Sequence, residues 1–163
     1  MSARFEPDEI ELEGLAQLTK ALKIQNPPHI LVGVLTDNPR EKGPSNAVIG
    51  ATHEYGSPAL GIPSRSWLRM ALRDHLQELM ESWGLIGENE LKAVVKSGSI
   101  GPWLEKIKLL AKAVVLMGFD TQGWGTWKRW SKAYARRKKR GTDNMILDDT
   151  GQLRGAVDAE IAQ

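Results

Sequence analysis

The sequence predicts an α+β fold: a small, mainly antiparallel sheet packed by three to four helices, in a single domain spanning residues 1–163. Three observations predict it. Apolar residues recur at helical spacing, then gather in two short strand-like runs, return to helical spacing, and finally alternate with polar residues. The length of 163 residues suffices for one substantial core. No internal repeat or linker-like stretch divides the chain.

Pro7 to Lys23 reads as a first helix. Asp8 and Glu9 suit its positive N-terminal end, Leu15, Leu18 and Leu22 form a narrow stripe, and Pro27-Pro28 ends it. His29 to Thr36, HILVGVLT, is short and nearly all apolar, which predicts a strand buried on both faces. Asp37 to Ser45 is a turn-rich loop. Asn46 to His53 is strand-like, with a second strand over Ala47–Thr52. Glu54-Tyr55-Gly56 leads out of it into a proline-bracketed loop, Ser57-Pro58 to Ile62-Pro63. A helix is predicted from Ser64 to Trp83. Leu68, Leu72, Leu76, Leu79 and Trp83 step by four, four, three and four, and Ser64 or Ser66 supplies the cap.

Glu88 to Lys96 forms a short helix broken by Ser97-Gly98-Ser99. Pro102 suits the first residue of the next helix, which Gly118 stops. Its Trp103, Ile107, Leu110, Val114 and Met117 share a stripe widened by Leu104 and Ala111, so it should be the most buried helix. Residues 120–149 change character, with Trp124, Trp127 and Trp130, three glycines, and the run Arg136 to Arg140. Trp127, Trp130 and Tyr134 could line one side of a short helix. Gln152 to Ile161 reads as a last, half-exposed strand, where Val157, Ala159 and Ile161 alternate with Asp158 and Glu160.

Composition excludes several classes. Lys plus Arg is 22 and Asp plus Glu is 20, a net charge of +2, which argues against coating nucleic acid by charge alone. With no cysteine, disulfides and thiolate metal sites are excluded, as suits a reducing cytoplasm. The polar, acidic N-terminus does not read as a signal peptide, and no apolar run approaches the ~18 residues of a membrane span. His53-Glu54 lacks the second histidine of a zincin, since Ser57 stands there, and His29 and His75 lie in other elements. Asp148-Asp149-Thr150-Gly151 contains the Asp-Thr-Gly of aspartic proteases, but without a flap-like sequence or a leading apolar strand. No nucleophile turn surrounds Ser57, Ser64 or Ser66, and no G-K-[ST] follows Gly56–Gly61. No catalytic residue, metal or cofactor is expected.

His53-Glu54-Tyr55-Gly56, followed by Ile62-Pro63-Ser64-Arg65-Ser66-Trp67-Leu68-Arg69, resembles a signature of small tail-completion or head–tail joining proteins of long-tailed bacteriophages, the Mu-like virion-morphogenesis type among them. That signature is His-Glu-aromatic-Gly, then Ile-Pro-x-Arg-x-aromatic-Leu-Arg. Ile146 to Arg154, ILDDTGQLR, resembles the family's Leu-x-Asp-Thr-Gly-x-Leu-Arg, and the two pieces come in the family's order. Asp148 stands where the family more often has an apolar residue, and residues 84–118 match no motif. The resemblance implies structural roles. His53 and Glu54 would fix a turn or sit at a subunit contact. Asp149 and Thr150 would bond backbone groups at a tight turn, Gly151 would supply an unusual φ/ψ, and Leu153 would enter the core as the last strand starts. Gly56, Arg65 and Arg154 complete the signature. The function implied is a structural virion protein of the tail or neck, assembled in the host bacterial cytoplasm. It would close into a ring, usually sixfold, against connector, adaptor or tail-tube proteins, and leave a channel for genomic DNA.

The expected contact surfaces are the Tyr55–Pro63 loop, through Tyr55, Pro58 and Ile62, and the Trp124–Asp149 segment, through Trp124, Trp127 and Trp130. Glycines and adjacent positive charges would resist ordering of Thr121–Asn144, while its indoles call for a covering partner. Arg136, Arg137, Lys138, Lys139 and Arg140 form either a solvated basic loop, a docking strip for an acidic partner, or a grip on phosphates. The last option supports a different function, a small nucleic-acid-binding regulator.

Overall fold

In the computed structural model, which describes residues 28–36, 43–132, 134, 145–147 and 150–162, a two-stranded antiparallel sheet packs with five helices, the α+β class predicted. In chain order the elements are β1 (His29–Gly33), α1 (Asn46–Tyr55), α2 (Leu76–Ser82), α3 (Glu88–Ser97), α4 (Gly101–Asp120), α5 (Gln152–Gly155) and β2 (Asp158–Ala162). A 3-10 turn, Pro58–Leu60, follows α1, and a π-helical turn, Ala71–His75, leads directly into α2. The predicted helix over Pro7–Lys23 lies outside the described residues, as does most of the loop after β1.

β1 pairs with β2, with His29 opposite Ala162 and Gly33 opposite Asp158. The apolar run of β1 suggests burial on both faces, yet exposure alternates along it and Leu31 is 40 % exposed. A sheet of two strands has α4 against it, and alternate side chains point away from that support. β2 keeps the predicted alternation but starts later, since Gln152–Gly155 winds into α5.

The largest departure is Ala47–Thr52, a helix where a strand is predicted. Ser45 caps α1 by accepting a bond from the Val48 N–H at 3.4 Å. Asn46, Gly50 and Glu54, spaced by four, are its buried residues. Val48 and Ile49 favour a strand locally; the four-residue spacing of the buried set overrides them. The small Gly50 allows this face to approach the core: a Cβ there would stand 3.0 Å from the Trp67 ring and 3.3 Å from Leu153.

α4 is the buried helix predicted. Leu110, Val114, Val115 and Phe119 are at most 1 % exposed. Phe119 meets Trp67 at 5.7 Å and Trp127 edge-on at 5.8 Å, so three aromatics close the core. Gly118 does not stop α4, which continues to Asp120. The glycine serves packing instead, because a Cβ would meet the Trp124 ring at 3.2 Å.

Candidate functional site

Glu54 is 4 % exposed at the end of α1, and its carboxylate is surrounded by donors. It accepts bonds from Ser66 Oγ at 2.6 Å, Trp67 N at 2.8 Å, Leu68 N at 3.0 Å, and Arg69 N and Nε at 3.3 and 2.9 Å. These backbone N–H groups open the helical stretch that leads into α2, so Glu54 caps it from a distance, and Ser66, one of the two predicted caps, adds to it by accepting a bond from Met70 N at 3.0 Å. Helical structure accordingly starts at residue 69 instead of Ser64. Burial alone would raise the Glu54 pKa. The bonds from Ser66, Leu68 and Arg69 outweigh it and hold the carboxyl below its ordinary range.

The loop between Glu54 and this cap is closed by its own backbone. Ser57 and Ile62 form an isolated antiparallel bridge, Arg65 N donates to His53 O at 2.7 Å, and Ser64 Oγ donates to Glu54 O at 2.8 Å. Gly56 is required here: its φ is +78°, and a Cβ would lie 2.8 Å from Ser64 N. Arg69, bound to Glu54, also lies 4.7 Å over the Tyr55 ring.

Beside this joint lies a cleft of about 790 Å³, walled by α1, the 60–65 loop, residues 128–134 and the start of α5. His53 and Arg65 from the first signature segment line it together with Thr150, Gly151 and Leu153 from the second. The two segments, far apart in sequence, thus meet on one surface. Gly151 adopts φ +69°, the unusual conformation expected, and Leu153 is 3 % exposed in the core. Leu153 enters that core from a helix, not from the start of the last strand. Arg154 pairs with Asp120 at 2.7 Å and ties α5 to the end of α4. Asp149 lies outside the described residues.

Arg65 is 6 % exposed; its Nε donates to Lys128 O at 2.9 Å, and no carboxylate among the described residues pairs with it. Burial lowers its pKa, slightly countered by Tyr134. His53 Nδ1 is buried without a hydrogen-bond partner among the described residues. Burial first, and then the Arg65 charge, lower the His53 pKa and favour the neutral ring. Lys128 and Arg129 add positive charge, and no acidic residue is among the described lining.

The predicted contact residues fall into two groups. Tyr55 is 67 % exposed, Pro58 is exposed and Ile62 is half-buried at the cleft. The tryptophans are mostly covered by the chain's own residues. Trp127, 6 % exposed, donates Nε1 to Ser66 O at 3.2 Å and belongs to the core, which corrects its assignment as an open contact residue. Trp124 stacks on His75 at 3.7 Å and Trp130 meets Tyr134 edge-on at 5.5 Å; both are half-buried. Gly123 explains the inward turn, since a Cβ there would stand 2.2 Å from the Trp127 ring. The strip Arg136, Arg137, Lys138, Lys139 and Arg140 lies outside the described residues.

Sequence reasoning missed the cleft residues Lys128 and Arg129 and the packing roles of Gly50 and Trp67. A glycine four residues before Glu54 was the available signal for close packing. Among the described residues, no cluster of three or more His, Cys, Asp or Glu could hold a metal, and no helix is long and apolar enough to cross a membrane. Comparison with family models, with curated proteins and with solved structures finds no match.

Proposed function

We propose that this chain is a structural virion protein of the tail-completion or neck type, as the resemblance of its two signature segments implies. The observation that supports this reading is their convergence: His53, Arg65, Thr150, Gly151 and Leu153 line one cleft. Around it the signature residues work as joints. Glu54 caps a helix, Gly56 permits a close backbone turn, and Leu153 packs against the Gly50–Trp67 contact. A unit built this way presents a fixed surface, as a ring subunit requires. The subunits associate head to tail, closing where the rotation closes. The ring, sixfold in the family resembled, joins or terminates the tail in the virion and leaves a channel for DNA. Assembly takes place in the host cytoplasm against neck or tail-tube proteins.

Deleting the gene from the parent phage tests the role. The expected result is separate heads and tails, or overlong tails, by electron microscopy. Normal infectious virions would overturn the proposal.

A further inference from the structure

We propose that the turn after α2, which carries Trp83, is a docking knob, and that its partner is the basic, aromatic face around residues 128–134 of a second copy of this chain. Trp83 is 62 % exposed, and Ile86, three residues on, is 47 % exposed. Large apolar groups that cluster in water on one turn mark an interaction surface. The turn itself is fixed. Gly84 N donates to Glu81 O at 3.0 Å and Leu85 N to Met80 O at 2.8 Å, with Gly84 at φ +65°, the bonds that close a helix end. Leu85 is buried in the core, and its carbonyl accepts from Trp103 Nε1 at 2.8 Å. Trp83 and Ile86 flank this anchored residue and stay outside. The surface is ordered before it meets a partner, so docking costs it little entropy.

Charge decides what the knob meets. Residues 74–91 hold Asp74, Glu78, Glu81, Glu88 and Glu90 and no Lys or Arg. Glu88 and Glu90 pair with Lys92 and Lys106, while no cation among the described residues pairs with the exposed Glu78 and Glu81. The last turn of α2 has no basic residue to offset the negative end of the helix dipole. The surface that complements this knob is cationic and apolar, and the chain carries one. Lys128, Arg129 and Lys132 are exposed, as are Leu60 and Tyr134. Leu60, Lys128, Arg129, Trp130 and Tyr134 line the same cleft, whose volume of about 790 Å³ has room for an indole. Counted with Asp143, Asp148 and Asp149, residues 121–151 hold eight Lys or Arg against three Asp. The positive balance of this region therefore does not depend on where those aspartates lie.

Within one chain the two surfaces do not meet, since Trp83 does not line the cleft. Both are anchored. Leu85 holds the turn, and the basic face is held by the core residue Trp127 and by the bond from Arg65 Nε to Lys128 O. Only another copy brings them together. The contact joins unlike surfaces, so it runs head to tail and repeats from copy to copy. It deepens the proposed ring and rests on that reading for closure alone.

The test is sedimentation velocity of the full chain and of two charge-reversed variants, each checked for helix content by circular dichroism. One variant carries Glu78→Lys and Glu81→Lys, the other Lys128→Glu and Arg129→Glu. The unaltered chain should self-associate as its concentration rises. Each variant alone presents two surfaces of like charge and should associate about tenfold or more weakly. Mixed one to one, each variant supplies the surface that the other lost, and association should return. Trp83→Ser should weaken the contact of the unaltered chain by about tenfold or more, as loss of a central aromatic anchor does. An unaltered chain that stays monomeric at about 1 mM, where even weak specific contacts are populated, would overturn the proposal. So would reversals that mixing does not rescue, or a Trp83→Ser chain that associates as before. Loss of association in only one of the two reversed variants would overturn the pairing of these two surfaces. Phage deletion reports the virion role and the mixing experiment reports the contact, so either can fail alone.

Discussion

Glu54 and Arg65 stand eleven positions apart in the sequence, both charged and both nearly covered by protein, yet their surroundings are opposite. Glu54 accepts five hydrogen bonds, three of them from backbone N–H groups. Among the described residues Arg65 donates one, to a carbonyl, and it lines a cleft. A buried charge whose bonding capacity is filled belongs to the fold. One whose capacity is left over is available to something else. The difference separates a signature residue that ties the fold together from one that lines the cleft.

Breaking the filled site should have the largest effect. Glu54→Ala leaves the N–H groups of residues 67–69 without their acceptor and should cost about 3–5 kcal/mol, read as a lowered midpoint in urea unfolding. Gly56→Ala forces a Cβ onto Ser64 N at a positive φ and should cost roughly 2–3 kcal/mol by the same measurement.

The pH dependence sharpens the contrast. His53 and Glu54 both have folded pKa values below their ordinary ones, so the unfolded chain binds more protons as pH falls. Stability should decline first below about pH 6.5 through His53, and again below about pH 4.5 through Glu54. Replacing His53 with Gln should flatten the first decline in a series of thermal melts and leave the second in place. Arg129→Ala, on the exposed rim, should change stability by less than about 0.5 kcal/mol.

Where the chain's own pattern decides the structure, the sequence was readable. α4 shows it through Ile107, Leu110 and Val114, though Met117 of the predicted stripe is 38 % exposed, and β2 shows it from Asp158 on. α1 was not readable, because Val48 and Ile49 look like a strand until Gly50 is seen against Trp67 and Leu153, contacts made by distant segments. The 69–82 helical stretch packs Leu72, Leu76 and Leu79 of the predicted stripe but leaves Trp83 62 % exposed, and it starts later than predicted, since Glu54 from a distant segment joins the local Ser66 in capping it. The tryptophans of 124–130 look exposed beside so many glycines; Gly123 instead turns Trp127 into the core. As for the site, His53, Arg65 and Gly151 were legible as motif residues. Their meeting in a cleft with Lys128 and Arg129 was not, because no spacing in the chain encodes it.

Urea unfolding of Glu54→Gln and Arg65→Gln, measured side by side, tests most directly the division between a charge that builds the fold and a charge that lines the cleft. Glu54→Gln keeps one acceptor oxygen and loses the charge, so it should cost about 2–4 kcal/mol. Arg65→Gln removes a buried charge that has, among the described residues, no carboxylate partner and one hydrogen bond, and should change stability by about 1 kcal/mol or less. A loss at Arg65 as large as that at Glu54 would contradict the account and make Arg65 a structural residue.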